Sequence, residues 1–414
     1  MLRSDQIRAA VHTAAADAER FLCGLIRFPS TPGAEQEAME YLAARFAGLA
    51  EVERVPLANN LRDDPEYSGL IPGIDYTGRC NLRLRVPGAG VGRSLLLNTH
   101  VDVVPASDGH QRPFDPRVEG GRVIGRGACD AKGQVAAIYA ALAALRSLGI
   151  KLAGDVLVHL VVEEEVGGNG TAAMVRRGER ADACIVMEPT ALQVMTATRG
   201  AVWFRVRCTG KSIHGGRATE GVSALDSAVR VIELLKNYHA RLLGASRGIP
   251  LFDRYPNPMP VLVGKLEAGN WPSMAPASAV LEGMLGFLPN RTREQVMEEI
   301  RQAILDGADP WLREHFTLEF LYRHDCHVLP AGHPLGEGLL ACAREAGAAA
   351  EISAMTASCD ACFYHNQLGI PTVVFGPGDL RFAHAPDEQI ALEDVATAAA
   401  ALAGFMTRWS GPAD

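Results

Sequence analysis

Four short runs of the chain are apolar almost throughout, Ser94 to Leu97, Val156 to Val162, Ala183 to Met187 and Thr372 to Phe375, as expected of strands buried on both faces. Helical periodicity fills the gaps between them. Val135, Ile138, Tyr139, Leu142 and Leu145 fall on one helical face, and Asp130 sits where an N-cap would satisfy the free amides. Strand alternating with helix predicts an α/β fold, a mixed and mostly parallel sheet with helices on both faces. From Arg199 the pattern changes. Ala201 to Cys208 alternates like a half-buried strand, a long amphipathic helix runs from about Val222 to Leu243, and strand-like segments follow at Val261 to Leu266 and Ala279 to Leu288. A helix at Thr292 to Leu305 and a strand at Thr317 to Tyr322 complete β-α-β-β-α-β, the ferredoxin-like order. The predicted organisation is therefore a catalytic domain over 1–198, an inserted ferredoxin-like α+β lid over 199–323, and the rest of the catalytic domain over 324–414.

Length agrees with two domains, since 414 residues exceed what one core usually supports. Composition is that of a globular protein, with 48% hydrophobic and 21% charged residues. The net charge of -8 and the lack of a long Lys/Arg cluster argue against nucleic-acid or anionic-membrane partners and for a small-molecule substrate. Met1 through Leu25 reads as an amphipathic helix carrying Asp5, Asp17 and Glu19 rather than a signal sequence. No run of about eighteen apolar residues is present, so a cytoplasmic protein is expected. Nine cysteines, an odd number scattered along the chain, suit free thiols in a reducing compartment. Cys359 and Cys362 form a CxxC without a second pair, which is read as structural.

Metal-type side chains fall just after the buried runs: His100 and Asp102 after the first, Glu163, Glu164 and Glu165 after the second, Glu188 after the third, and His384 downstream of the fourth. In an open α/β sheet the carboxyl ends of the strands form the ligand crevice, so residues far apart in sequence can converge there. Each has a bland reading alone. Asp130 could be only a helix cap, the glutamate run a solvated turn, Glu188 a surface strand end and His384 a satisfied histidine. Together they would bury several carboxylates, which costs several kcal/mol per charge unless cations neutralise them. Histidine and carboxylate donors without cysteine suit a catalytic site with open positions for zinc, cobalt or manganese.

The motifs LLLNTHVDVVPA ending at Ala106, GRGACDAKG at Gly133, VVEEEVGGNG at Gly170, MEPT at Thr190, SIHGGRAT at Thr219 and GPGDLRFAHAPDE at Glu388 resemble, in order and spacing, the zinc-dependent M20 peptidase family. That family includes acetylornithine deacetylases, succinyl-diaminopimelate desuccinylases, aminoacylases and glutamate carboxypeptidases. The resemblance implies two divalent metal ions, most often zinc, with Asp130 bridging them. His100 and Glu188 would complete one site and Glu165 with His384 the other. It further implies Asp102 as the residue orienting His100 and Glu164 as general base, from the alignment of Glu164 and Glu165 with an EExGG pattern. His214 would be an oxyanion donor, often supplied across a homodimer. The implied reaction is hydrolysis of an N-acyl amine or a short peptide by an activated water.

Two positions depart from relatives that bind acidic substrates: Gly286 stands where many carry an arginine, and Ser273 where an asparagine is common. Arg323 could supply a carboxylate contact instead, or be an exposed structural arginine. Gly244, Ser246 and Gly248 match the GxSxG of serine hydrolases, but a helix precedes the serine where a strand is required. Gly210-Lys211-Ser212 resembles the tail of a phosphate loop, with Arg205 where its first glycine should be. A non-catalytic metal-binding relative is the remaining alternative.

Overall fold

The computed structural model describes residues 4–411. The first helix, α1, spans Ser4–Ile26, so Met1, Leu2 and Arg3 at the start of the expected helix lie outside the described residues. There follow α2 (Gln36–Phe46), β1 (Glu51–Pro56), β2 (Cys80–Val86), β3 (Leu95–His100), β4 (Arg117–Glu119), β5 (Arg122–Ile124), α3 (Gly133–Ser147), β6 (Val156–Val161), α4 (Asn169–Arg176), β7 (Cys184–Val186) and β8 (Val194–Thr198). The chain then leaves the main sheet for β9 (Gly200–Thr209), α5 (Ala224–Ala245), β10 (Val261–Ala268), β11 (Ser278–Phe287), α6 (Arg293–Gly307), α7 (Pro310–Glu314) and β12 (Phe316–His324). It returns through β13 (His327–Val328), α8 (Pro334–Glu345), β14 (Ile352–Met355), β15 (Thr372–Val374), β16 (Gln389–Ala391) and α9 (Leu392–Ser410).

The main sheet is ordered β1-β2-β6-β3-β7-β15-β8-β13, with β14 joined to β8. Its centre, β6-β3-β7-β15, is parallel, and the outer pairings are mostly antiparallel. The apolar runs are these four central strands. Alternation along them feeds two cores: Leu95, Leu97, Val156, Val158, Leu160 and Ile185 pack with α1, α3, α8 and α9, while Leu96, Leu157, Cys184 and Val186 pack with α4 and Phe363 on the other face. Each fully buried leucine or valine contributes about 1.5–3 kcal/mol, and the one polar residue inside Val156 to Val162, His159, is satisfied by Tyr364 OH at 2.9 Å and Glu179 Oε2 at 2.7 Å.

The inserted sheet has the order β10-β11-β9-β12 with every pairing antiparallel, as the β-α-β-β-α-β reading requires. Val202, Phe204 and Val206 of β9 and Leu281 and Leu285 of β11 share a separate core with α5 and α6. Both helix starts are capped: Ser223 Oγ accepts from Asp226 N–H at the head of α5, and Thr292 with Gln295 forms a capping box at α6.

Asp130 is not the cap of α3. That helix begins at Gly133 after Lys132, and Asp130 has φ -136° and ψ 96°, an extended conformation one turn earlier. Glycines at 125 and 127 and the buried Arg126 bring the chain in at this angle, which turns the carboxylate away from the helix amides and into the crevice.

Candidate metal centre

Because β6, β3, β7 and β15 are adjacent and parallel, their carboxyl ends present the metal-type residues side by side. His100 is the last residue of β3, Glu164 and Glu165 follow β6, Glu188 follows β7, and His384 lies in the loop after β15. Ligand atoms of His100, Asp130 and Glu165 lie within 4.8 Å of one another. Asp130 faces two imidazoles at once: Oδ1 is 3.1 Å from His100 Nε2 and Oδ2 is 3.3 Å from His384 Nε2. His384 Nε2 is also 3.0 Å from Glu165 Oε1.

The hydrogen bonds behind these groups set their chemistry. His100 Nδ1 lies 2.9 Å from the main-chain carbonyl of Asp102, which can only accept, so Nδ1 carries the proton and Nε2 turns its lone pair toward Asp130. A lone pair facing a carboxylate oxygen at 3.1 Å is satisfied only by a second proton on the ring or by a cation taken up between the two. Accordingly, burial opposes charge on His100, but the nearby carboxylates of Asp102 and Asp130 carry its pKa well above the usual imidazole range. Asp130 is the converse: burial works against ionisation, yet His100 and His384 hold it far below the usual carboxylate value.

Glu164 and Glu188 are almost fully buried, and neither carboxylate makes a hydrogen bond among the described residues. Burial pushes both well above the ordinary range, against the pull of His100, with the charges of Glu188 and Asp360 adding at Glu164 and those of Asp130 and Asp360 at Glu188. Glu165 is raised too, by burial and then by Asp130, with His384 opposing. Such a crowd of acids around two imidazoles suits divalent cations, and the donor set, two histidines and carboxylates without thiolate, fits zinc, cobalt or manganese.

Asp102 is placed differently from the expected carboxylate-to-imidazole contact. Its side chain, with Oδ1 3.6 Å from His100 Nδ1, is too far for a hydrogen bond; it accepts instead from Glu164 N–H and Glu165 N–H, both at 3.1 Å. The residue therefore orients His100 through its backbone and the glutamate loop through its carboxylate. Glu163 points away from the crevice. Its oxygens meet Arg79 Nη1 at 2.6 Å, Tyr76 OH at 2.7 Å and Asn169 Nδ2 at 2.8 Å, at φ +61°. That leaves Glu164 and Glu165 facing the metal-type residues.

The remaining residues singled out from sequence are occupied elsewhere. His214 is exposed on the inserted layer, and its Nδ1 accepts from Gly216 N–H, so none of its hydrogen bonds reaches the cluster. Arg323 donates from Nη2 to the carbonyls of Pro65 at 3.0 Å and Tyr67 at 2.8 Å, tying the inserted layer to the main body rather than standing free for a substrate carboxylate. Ser246 is buried and donates to Asn290 Oδ1 at 3.1 Å, a contact without a base, which removes the serine-hydrolase geometry. Cys359 and Cys362 are free and buried, with burial holding both thiols protonated.

Supporting residues that the sequence reading passed over surround the centre. Glu388 Oε1 accepts from the backbone N–H of Cys129 and Asp130 at 3.0 and 3.1 Å, and its other oxygen is 2.5 Å from Arg126 Nη1, a buried pair that fixes the Asp130 backbone. Burial and then Asp130 push Glu388 up to about 7. Lys132, wholly buried, donates to the carbonyls of Leu25 and Phe28, and burial brings its pKa down to about 7. Asp360 accepts from Thr171 Oγ1 at 2.6 Å beneath the acids. Arg126, Lys132 and Glu388 lie inside the quoted motifs, and charged residues between glycines and small apolar residues were the available signal.

The geometry accords with what the chain matches. It is 28% identical over 342 residues to N-formyl-4-amino-5-aminomethyl-2-methylpyrimidine deformylase of Bacillus subtilis, covering 76% of this chain and 79% of that protein. It is 29% identical over 331 residues to acetylornithine deacetylase of Myxococcus xanthus, covering 78% and 82%. A dipeptidase from Saccharomyces cerevisiae superposes with a TM-score of 0.79 at 12% identity over 98% of both chains, a likeness of fold. Residues 96–408 match Peptidase family M20/M25/M40. With most of its length inside that match, the chain belongs to the peptidase family M20/M25/M40.

Proposed function

We propose that the protein is a two-metal amidohydrolase that removes an N-acyl group from an amine or amino acid. In this reading Asp130 would serve both ions, His100 and Glu188 would hold one, and Glu165 and His384 the other. Two divalent ions, zinc foremost with cobalt or manganese as alternatives, would supply a water of lowered pKa and an electrophile for the scissile carbonyl. The observation that carries the reading is Asp130, with its two oxygens 3.1 and 3.3 Å from imidazole nitrogens contributed by distant parts of the chain.

The chain's own residues do the rest. Glu164, whose buried carboxylate has no hydrogen-bond partner among the described residues, takes a proton from the attacking water and returns it to the departing amine nitrogen. Asp102 holds the Glu164 and Glu165 amides, so the base and the neighbouring ligand keep a fixed separation. His214, whose Nδ1 is satisfied at Gly216, has Nε2 left to donate to the oxyanion, reached across a homodimer. Residues 199–323 act as the lid and dimerisation domain between the two parts of the catalytic domain, and a cytoplasmic enzyme is the expected setting.

A panel of N-formyl and N-acetyl amines, N-acyl amino acids and dipeptides, assayed with zinc, cobalt or manganese, tests this. Chelation should abolish turnover, re-addition of metal should restore it, and Asp130→Ala should lose activity and metal together. Turnover that survives complete metal removal would reject the proposal.

A further inference from the structure

The helix-free face of the inserted sheet carries an apolar row that water activation does not use. Strand register sets Leu262 opposite Met284, Met284 opposite Trp203, and Trp203 opposite Tyr322, so each of the four strands gives one side chain to the line. Val202 and Phe204, the neighbours of Trp203, are buried toward α5 and α6, which fixes the indole on the other face. One row farther out the face turns ionic, with Lys265, Glu282, Arg205 and Glu319 in register and Arg205 Nε 2.6 Å from Glu282 Oε1. The apolar row is thus bounded.

At its inner end the row reaches the catalytic loop. Trp203 and Tyr322 stack with ring centroids 4.9 Å apart and planes 16° apart. The Tyr322 ring lies against Gly167, close enough that a Cβ there would stand 3.3 Å from Tyr322 Cδ2. Its hydroxyl bonds Ser358 Oγ and His324 Nδ1, each at 2.8 Å. Gly167 lies two residues beyond Glu165 in the loop that carries Glu164, so the stacked pair packs against that loop.

The row offers no cation to a substrate carboxylate. Gly286, opposite Ala201 in the next row, has no side chain, and a Cβ on it would stand 3.1 Å from Arg199 Cδ. Arg199 is itself buried, with Nε on the Thr356 carbonyl at 2.6 Å and Nη1 on the Gly200 carbonyl at 3.1 Å. Arg323 is held by Pro65 and Tyr67.

Resting on the amidohydrolase reading above, we propose that Trp203, supported by Tyr322 and Met284, is the specificity surface for the amine half of the substrate and takes a flat, uncharged aromatic or heteroaromatic ring. Stacking on the indole face favours such a ring over a saturated one of equal size by about two- to tenfold.

The test uses the full-length, metal-loaded protein. Calorimetric binding of benzylamine and cyclohexylmethylamine reads the surface without turnover, and hydrolysis of their N-formyl derivatives beside N-formylphenylalanine reads it in KM and kcat. Benzylamine should bind about two- to tenfold more tightly than cyclohexylmethylamine. Trp203→Ala should erase the difference, raising KM for the benzyl amide with little change in kcat, and Trp203→Phe should retain it. Equal binding of the two rings, a preference that persists in Trp203→Ala, or a preference for the carboxylated substrate that Arg199→Met abolishes would each overturn the proposal. Hydrolysis of no amide with any metal would reject the amidohydrolase reading, while the binding comparison would still decide the ring surface.

Discussion

Glu163 and Glu164 are chemically identical neighbours that the fold sends in opposite directions, and replacing each by glutamine separates stability from catalysis. Glu163 meets Arg79, Tyr76 and Asn169 within 2.8 Å, and the other side of Arg79 meets Glu35 Oε2 at 2.6 Å. Burial, followed by the charge of Asp102, pushes Glu35 up to about 8, so near neutral pH Glu163 carries most of the charge that balances Arg79. Glutamine keeps one acceptor for Tyr76 and Asn169 but sets an NH2 against Arg79. Losing that charge-assisted contact costs about 2–3 kcal/mol, less than the roughly 3–5 kcal/mol for breaking a buried pair outright, because Glu35 can ionise in compensation. At about 2 °C per kcal/mol for a body of this size, Glu163→Gln should melt about 5 °C lower. Glu164→Gln removes an acid that burial and its neighbours already disfavour as an anion, so it should melt at the wild-type temperature or above, while kcat falls roughly 10²–10⁴-fold. Melting is read on chelated protein at one scan rate, to keep metal binding out of the comparison, and kcat on the best substrate of the amide panel. If Glu163→Gln abolishes turnover without a change in melting, the division of roles between the two glutamates is reversed and the reasoning fails.

Asp102→Asn leaves the main-chain carbonyl that holds His100 but can accept only one of the two amide protons of Glu164 and Glu165, so activity should drop about 10–100-fold with far-UV dichroism unchanged; wild-type activity would show the carboxylate to be dispensable. His327 is fully buried, donates to the Thr372 carbonyl at 2.6 Å, and has its pKa lowered to about 3 by burial and then His365. Its folded pKa lies below the unfolded one, so its contribution is complete above about pH 6.5 and is lost as pH falls toward 3, at about 1.4 kcal/mol per unit. Urea unfolding at pH 7 and pH 5 should therefore show a loss smaller by about 2 kcal/mol in His327→Gln than in wild type, and parallel losses would exclude His327 as the source.

The candidate metal centre could be located in sequence because its residues hang on the ends of four strands that are both apolar and, in the folded sheet, neighbours. Periodicity located the strands, and the rule that ligands bind beyond parallel strand ends did the rest. What sequence left open was decided by contacts across long separations. Nothing near Glu163 says that Arg79 and Tyr76 will take it out of the crevice, and nothing near Asp130 says that Glu388 will hold its amide in an extended turn rather than a helix cap. Arg323 illustrates the same limit. A guanidinium at the end of the last inserted strand can reach a ligand or the hinge, and only the position of the Pro65 and Tyr67 carbonyls shows which contact it makes.

This division also separates the candidate ligand residues from the proposed amine surface. His100, Asp130, Glu165, Glu188 and His384 all belong to the main body, where strand order fixes their spacing and leaves little freedom for change. Met284, Trp203 and the bare Gly286 lie instead on β9 and β11 of the inserted sheet, whose own core is on its opposite face with α5 and α6. Substitution of Met284 or Trp203 on the helix-free face leaves that core and the acid cluster in place, so under the proposed function the acids can stay constant while the amine changes, whereas a side chain at Gly286 would press on Met259 and Arg199.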